Sequence, residues 1–229
     1  MRQAERPREP DRDCPLCPRL TEFRAANRRR EPGWHNAPVP SFGPLDARLL
    51  VVGLAPGLKG ANRTGRPFTG DYAGDLLYAT LAKYGFAEGA YEQRADDGLR
   101  LIDCRIANAV RCVPPENKPT PAEIALCRPF LAAEIAGLKR LRAVLALGSI
   151  AHGSVLAASG QRLSRHPFKH GAVYEISGRE TPGDLLLADS YHCSRYNTNT
   201  RRLTTAMFEA VVAELRQRLG QPKGSAKAE

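Results

Sequence analysis

Short apolar runs alternate with stretches of helical spacing through the middle of the chain. Residues 49–55 (LLVVGLA), 143–147 (AVLAL) and 185–188 (LLLA) are apolar runs without alternation of polar and apolar positions, and 105–110 (RIANAV), although it carries Arg105 and Asn108, is a further strand candidate. That is the pattern of strands buried on both faces. Residues 74–84, 121–138, 150–156 and 203–219 carry apolar positions at helical spacing. The second of these opens with Thr120 as N-cap, Pro121 at the first position and Glu123 where a capping box needs it. Buried strands separated by helices predict an α/β fold with a mainly parallel sheet covered on both faces. In such sheets ligands sit beyond the carboxyl ends of the strands. The loops after Ala55 and after Ser190 are therefore the places to look for chemistry.

The chain has 229 residues, which suits one domain with a single core. Residues 1–13 are charged and Pro-containing and read as a disordered leader; residues 220–229 (GQPKGSAKAE) read as a disordered tail. The leader has no apolar centre, so it is not a secretory signal. No run approaches the ~20 apolar residues of a membrane span. The expectation is a cytoplasmic protein of prokaryotic type, acting as a monomer. Lys and Arg number 34 and Asp and Glu 24, a net charge of +10. That balance suits a polyanion such as DNA, although a basic surface also serves solubility.

Six cysteines in a reducing compartment point to metal, chemistry or core packing before disulfides. Cys14 and Cys17 form C-x2-C, while Cys112 and Cys127 stand further apart in RCVPPENKPTPAEIALC. Four thiolates suit a structural zinc or a four-iron cluster, and spacing alone leaves both open. A chance C-x2-C beside two core cysteines is the plainer alternative. Cys104 and Cys193 have no partner at useful spacing, and Cys104, among apolar residues, reads as core.

The first loop lies within LLVVGLAPGLKGANRTGRPFTGD. It fits neither G-x-x-x-x-G-K-[ST] nor G-x-G-x-x-G, so it reads as a pocket wall and not a phosphate cradle. Asp71 either points into that pocket or caps the helix that follows. The second loop, SYHCSRYNTNTRRLT, holds a histidine, two asparagines, hydroxyls and three arginines, a mix suited to a polar ligand beside a polyanion.

GLAPGLKGANRTGRPFTGD resembles motif A of family 5 uracil-DNA glycosylases, and HCSRYNTNT resembles their motif B, a form of H-x-S-x-x-N. WHNAPVPSFGPLDARLLVVG and HPFKHGAVY also resemble family 5 segments, and the likeness runs from about Cys14 to the last helix. The resemblance implies a three-layer α/β/α sandwich around a four-stranded parallel sheet. It implies a 4Fe-4S cluster on Cys14, Cys17, Cys112 and Cys127. It implies DNA containing uracil or another deaminated base as partner, and a monofunctional glycosylase that hydrolyses the N-glycosidic bond after flipping the nucleotide. No lysine stands in a motif position that would suggest Schiff-base chemistry.

By the same resemblance Asp71 holds the attacking water and faces the sugar cation, and His192 donates to the uracil O2. Phe68 stacks on the base, Gly53 and Ala55 line its site, and Asn197 orients the water or a phosphate. Asn108 departs from the small apolar residue usual there in family 5 and matches family 4, where an amide reads the uracil edge; a plainer role is to satisfy backbone groups at a strand end. Arg63, Arg66, Arg195, Arg201 and Arg202 are expected to meet phosphates, with Tyr196 as the wedge that fills the gap left by the base. Two other classes compete: a non-catalytic zinc-containing nucleic-acid-binding module, and a hydrolase of another nucleoside-like molecule.

Overall fold

The computed structural model describes residues 7–177 and 183–220. Helix α1 (Pro18–Arg30) comes first. Then follow β1 (Leu49–Gly53), the short α2 (Ala61–Thr64) and α3 (Tyr72–Lys83). A small hairpin, β2 (Ala87–Glu88) and β3 (Arg100–Leu101), precedes β4 (Cys104–Asn108). The chain continues through α4 (Pro121–Gly137), β5 (Ala143–Leu147), α5 (Ser149–Ala158), β6 (Val173–Ile176) and β7 (Leu185–Ser190). Helices α6 (Arg195–Asn199) and α7 (Thr205–Leu219) close the domain.

The sheet order is β4-β1-β5-β7-β6. Four strands are parallel, as the resemblance implies, but β6 adds a fifth, antiparallel to β7, at the edge. Its half-exposed residues give a weak apolar signal, which is why the apolar pattern alone does not show it. Along β1 every residue is buried: Leu49 and Val51 enter one core, Leu50 and Val52 the other. Helices α3 and α7 cover the first face and α4 and α5 the second, which gives the three layers. The capping box at Thr120 and Glu123 is present in full, with the Thr120 N–H donating to Glu123 Oε2 at 2.7 Å.

Residues 7–13 are not a loose leader. Pro7 is buried, Glu9 accepts the Ser41 N–H at 3.0 Å, Arg8 lies over the Phe130 ring, and Asp13 meets Arg28 at 2.5 Å. Arg8, Glu9 and Asp13, three of the charges that suggest disorder, each find a partner. Beyond Gly220 the tail lies outside the described residues, as do residues 1–6.

Glu134 on α4 has no exposed surface. It takes the Arg105 Nε–H, the Ser41 hydroxyl at 2.7 Å and the Arg111 guanidinium at 3.3 Å. Glu9 adds a second carboxylate 3.2 Å from Arg111. Removing one member leaves the others as uncompensated buried charges, so Glu134→Ala should cost about 3–5 kcal/mol, read by urea unfolding. Glu134→Gln, which keeps the shape, should cost less. A loss in Glu134→Ala no greater than that of a surface substitution would show that the cluster does not hold α4 to β4.

Candidate active site

A cleft of about 610 Å³ opens beyond the carboxyl ends of the parallel strands. The loop after β1 forms one wall, from Leu54 through Ala61, and Asn108 at the end of β4 lies at its base. Phe68, Asp71 and Tyr72 come from the segment leading into α3, and His192, Ser194 and Arg195 from the loop after β7. Motif A and motif B, distant in sequence, thus face each other across one cavity.

The aromatic of motif A is held in an uncommon backbone state. Phe68 has φ 54°, a left-handed conformation disfavoured for a bulky residue and maintained only by its surroundings. Tyr91 Oη donates to the Phe68 carbonyl at 3.0 Å and Tyr78 Oη to the Pro67 carbonyl at 2.6 Å. Arg66 belongs to this support. It is 4% exposed, pairs with Asp97 through both terminal nitrogens at 2.7 and 2.6 Å, and lies over Phe42, Tyr78 and Tyr91. The expectation that Arg66 meets phosphate is therefore corrected: a guanidinium this buried and paired is not available to DNA. Asp97, more than thirty residues on, is the partner that local reading cannot supply. Its carboxyl is held well below the usual range by the Arg66 hydrogen bonds.

Asp71 fills both of the roles foreseen for it. As N-cap of α3, its Oδ1 accepts the Gly74 N–H at 3.3 Å. Its Oδ2 lies against Gly57 and Gly60, where a Cβ would crowd it. Burial pushes its pKa up, against the lowering effect of the Gly74 and Ala73 amides.

Asn108 is 2% exposed and its Oδ1 has no hydrogen-bond partner. It does not serve the strand-end backbone through that atom. A Cβ at Gly53 would stand 2.5 Å from this oxygen and 2.5 Å from the Phe68 ring. Glycine at 53 is therefore what lets the amide and the ring close on the same space.

His192 stacks obliquely on Phe68, with ring centroids 5.8 Å apart. Burial pushes its imidazole down to about 4, so it is neutral at pH 7. Asn197 does not line the cleft. Its Nδ2 donates to the His192 carbonyl at 2.9 Å, and its N–H donates to Ser194 Oγ at 3.3 Å, so the residue braces motif B from behind. Around the rim Arg195 lies over Tyr72 at 5.2 Å and Arg202 over Tyr191 at 4.7 Å. Arg63 and Arg201 are exposed, and Tyr196 projects with 71% of its surface free. Lys59, Tyr72 and Asn117 also line the cleft and escape the sequence reading. Lys59 sits inside motif A itself, but a lysine with no family role attached gives no signal.

Cys14, Cys17, Cys112 and Cys127 line a second, much smaller cavity of about 20 Å³. Leu20, Val110 and Phe130 form its apolar wall. The Arg24 guanidinium donates to Cys112 Sγ at 3.5 Å and the Arg111 N–H to Cys127 Sγ at 3.3 Å. Burial pushes the Cys17 thiol up to about 11 and Cys127 to about 12. As free thiols they keep their protons at pH 7, and a bound metal must displace them. Among the described residues no three Cys, His, Asp or Glu side chains converge closely enough to hold a single ion. Cys104 and Cys193 are wholly buried and stand outside this group.

Fold and cleft together define an α/β protein with an open cleft at the carboxyl edge of a parallel sheet. Residues 40–216 match the profile of the Uracil DNA glycosylase superfamily, and the chain belongs to that superfamily. It is 46% identical over 213 residues to the Type-5 uracil-DNA glycosylase of Thermus thermophilus, covering 90% of this chain and 94% of that one. The Type-5 enzyme of Mycobacterium leprae is 41% identical over 216 residues, 90% and 92% of the two chains. The Type-4 uracil-DNA glycosylase of Pyrobaculum aerophilum is 32% identical over 155 residues, 67% and 70%. No helix among the described residues is long and apolar enough to cross a membrane.

The close approach at Gly53 makes a prediction about the cleft. Gly53→Ala should fold but push Phe68 or Asn108 aside, and so abolish binding of free uracil measured by calorimetry. Binding equal to that of the unaltered protein would place the base elsewhere in the cleft.

Proposed function

We propose that the protein excises uracil from DNA by hydrolysing its N-glycosidic bond, leaving an abasic site. The observation that carries this is the convergence of Asp71, Asn108, Phe68 and His192 on one cleft of base-accommodating size. All four come from one chain, so the reading needs no partner subunit. The nucleotide leaves the duplex stack, at a cost smallest for a mismatched base, and enters between Phe68 and the motif B loop. Phe68 gives its face to the base. Asn108 Oδ1, bare and buried, accepts the uracil N3–H; a buried acceptor left unpaired costs about 1–3 kcal/mol, and the substrate relieves that cost.

As the C1′–N1 bond lengthens, negative charge gathers on the base. The His192 imidazole, neutral because it is desolvated, donates a hydrogen bond to O2 without bringing a proton of its own to lose. Positive charge gathers on the sugar, and the Asp71 carboxylate faces it and holds the attacking water. Asn197 acts through His192, by fixing the turn that carries it. Arg63, Arg195, Arg201 and Arg202 around the rim neutralise phosphates, and exposed Tyr196 fills the gap in the stack. Arg66 has no part in this.

Cys14, Cys17, Cys112 and Cys127 would hold a 4Fe-4S cluster. The donor set fits: four thiols around one cavity with N–H donors to two of the sulfurs. Thiolates around a cluster stand further apart than those around a single zinc, whose Zn–S bonds are ~2.3 Å. The cluster would serve structure, tying α1 to α4, and the base-excising residues named above lie outside it.

The test is an oligonucleotide carrying one uracil, incubated with the protein and then cleaved with alkali at the abasic site. Absence of a cleaved strand overturns the reading. His192→Ala should lower the single-turnover rate by roughly 10²–10³. Asp71→Asn should stop turnover while leaving DNA binding nearly unchanged. With the Asp71 pKa raised, the parent's rate should fall as pH drops through a value above the ordinary carboxylate range. Asn108→Ala should lose about 1–3 kcal/mol on uracil and less on hypoxanthine, whose edge differs; equal losses would make Asn108 a wall residue.

The metal has its own check. The purified protein should be brown, with broad absorbance from Cys-ligated iron. Zinc without iron after anaerobic purification would remove the cluster from the account.

A further inference from the structure

His152 on α5 and Asp189 on β7 are both fully buried, outside the cleft, and have no part in the chemistry above. His152 Nδ1 lies 2.7 Å from Asp189 Oδ1, and its Nε2 lies 2.7 Å from the His166 carbonyl oxygen. A carboxylate and a carbonyl are both acceptors. A neutral imidazole carries one N–H and can serve only one of them. Both bonds exist together only if the pair holds a further proton. Asp189 Oδ2 accepts the Lys169 N–H at 3.3 Å, which favours the carboxylate and leaves that proton on the ring.

The other groups packed against His152 do not disturb this assignment. Phe168 presents an apolar ring at 5.7 Å, and Tyr174 of β6 stands edge-on at 6.2 Å. Tyr174 Oη donates to the Pro167 carbonyl. The His166 ring turns towards Tyr174 and the Arg162 carbonyl. Desolvation pulls the His152 pKa down, but the hydrogen bond and charge of Asp189, with the His166 carbonyl, outweigh it, and the net shift is upward.

What this pair fastens is the end of β7. The stretch 166–172 is clipped to it by Gly171 N–H to Asp189 O at 2.9 Å and Asp189 N–H to Ala172 O at 2.9 Å. Tyr191 N–H also donates to His170 Nδ1 at 3.2 Å. His192 follows at once. Its ring makes no hydrogen bond to the described residues, so its place depends on the backbone that carries it.

We propose that the proton-sharing His152–Asp189 pair is a positioning device for His192, fixing the end of β7 against the 166–170 loop and releasing it when that proton leaves. The proposal rests on the role given to His192 under the glycosylase reading. The sign follows from the raised pKa. The hold is complete below the ordinary histidine value of ~6.5 and is lost as pH rises through the higher folded value. The excision rate should then fall on the alkaline side through kcat, with KM little changed.

Two measurements on the full cluster-loaded chain test this. Nitrogen-15 NMR at pH 7 should show both His152 ring nitrogens protonated, with one proton lost on titration to alkaline pH. A bare Nδ1 at pH 7, with no proton on Asp189, overturns the proposal. In Asp189→Asn the amide donates to Nδ1, its oxygen accepts Lys169 N–H, and a neutral ring still donates to His166, so every bond is met without the extra proton. Its single-turnover profile should stay flat over the range where the parent falls. An alkaline limb unchanged in Asp189→Asn overturns the positioning role. His152→Gln, which cannot carry the proton, should lower kcat about tenfold at pH 7, one hydrogen bond's worth. No excision by the parent at any pH would sink the glycosylase reading instead, and the resonances tell that failure apart from failure of the pair.

Discussion

Glu134 has no contact with solvent, yet it faces two arginines that the chain delivers from different places, Arg105 inside β4 and Arg111 in the loop after it. Taking such charges out of water costs several kcal/mol each. The arrangement persists because nearly every lone pair is answered: Ser41 donates to Glu134, Glu9 adds the second negative charge, and the Arg105 guanidinium also reaches the Gly43 carbonyl. With two carboxylates and two guanidiniums the cluster is neutral as a whole. It sets α4 against β4 in a single register. Asn108 lies three residues beyond Arg105, Cys112 directly follows Arg111, and Cys127 sits two turns before Glu134 on α4. The base of the cleft and two of the four cysteines are therefore placed by the same buried contact.

The cleft inverts that logic. Where Glu134 is fully answered, Asn108 Oδ1 is not, and the His192 ring is desolvated without a partner charge. Groups held short of partners in a water-poor cavity are worth more to a ligand that supplies them than the same groups in water. The protein carries this deficit on rigid parts. Asn108 ends a fully buried strand, and Phe68 is kept in a left-handed conformation by two tyrosine hydroxyls. Gly53, Gly57 and Gly60 are small because side chains there would occupy the space of the amide, the ring and the carboxylate.

Most of the sheet was legible because strands buried on both faces leave an uninterrupted apolar record, as in LLVVG and AVLAL. The motif loops were legible by resemblance, and the structure brings Asp71, Phe68, Asn108 and His192 to one cleft. Helix α1 was not, because its buried face holds Arg24 and Asn27 beside Leu20, so its pattern is not apolar. Arg66 was misplaced for a related reason. An arginine in a motif loop looks like a phosphate contact until its remote partner, Asp97, is known. The packed residues 7–13 show the same limit: charge argues for solvent only while its partners, here Ser41, Arg111 and Arg28, are unseen. Asn197 carries a motif letter but acts on the backbone behind the histidine.

Two histidines near the end of β7 show how one side chain is set to opposite states by its neighbours. His192 is buried with no charged group beside it, and desolvation alone drives it to the neutral form. His152 is desolvated too, with no exposed surface, but a carboxylate on one side and a carbonyl on the other outweigh the penalty. Exchanging the two environments would defeat both. An imidazolium at 192 would be a desolvated charge with no carboxylate to answer it, and a neutral ring at His152 would leave an acceptor pointed at Asp189 or at the His166 carbonyl. The sequence separation of Asp189 and His192 is three residues, so the strand that leads to the neutral ring is anchored by the charged one. Desolvation is common to both sites; the presence or absence of a single aspartate decides what it produces.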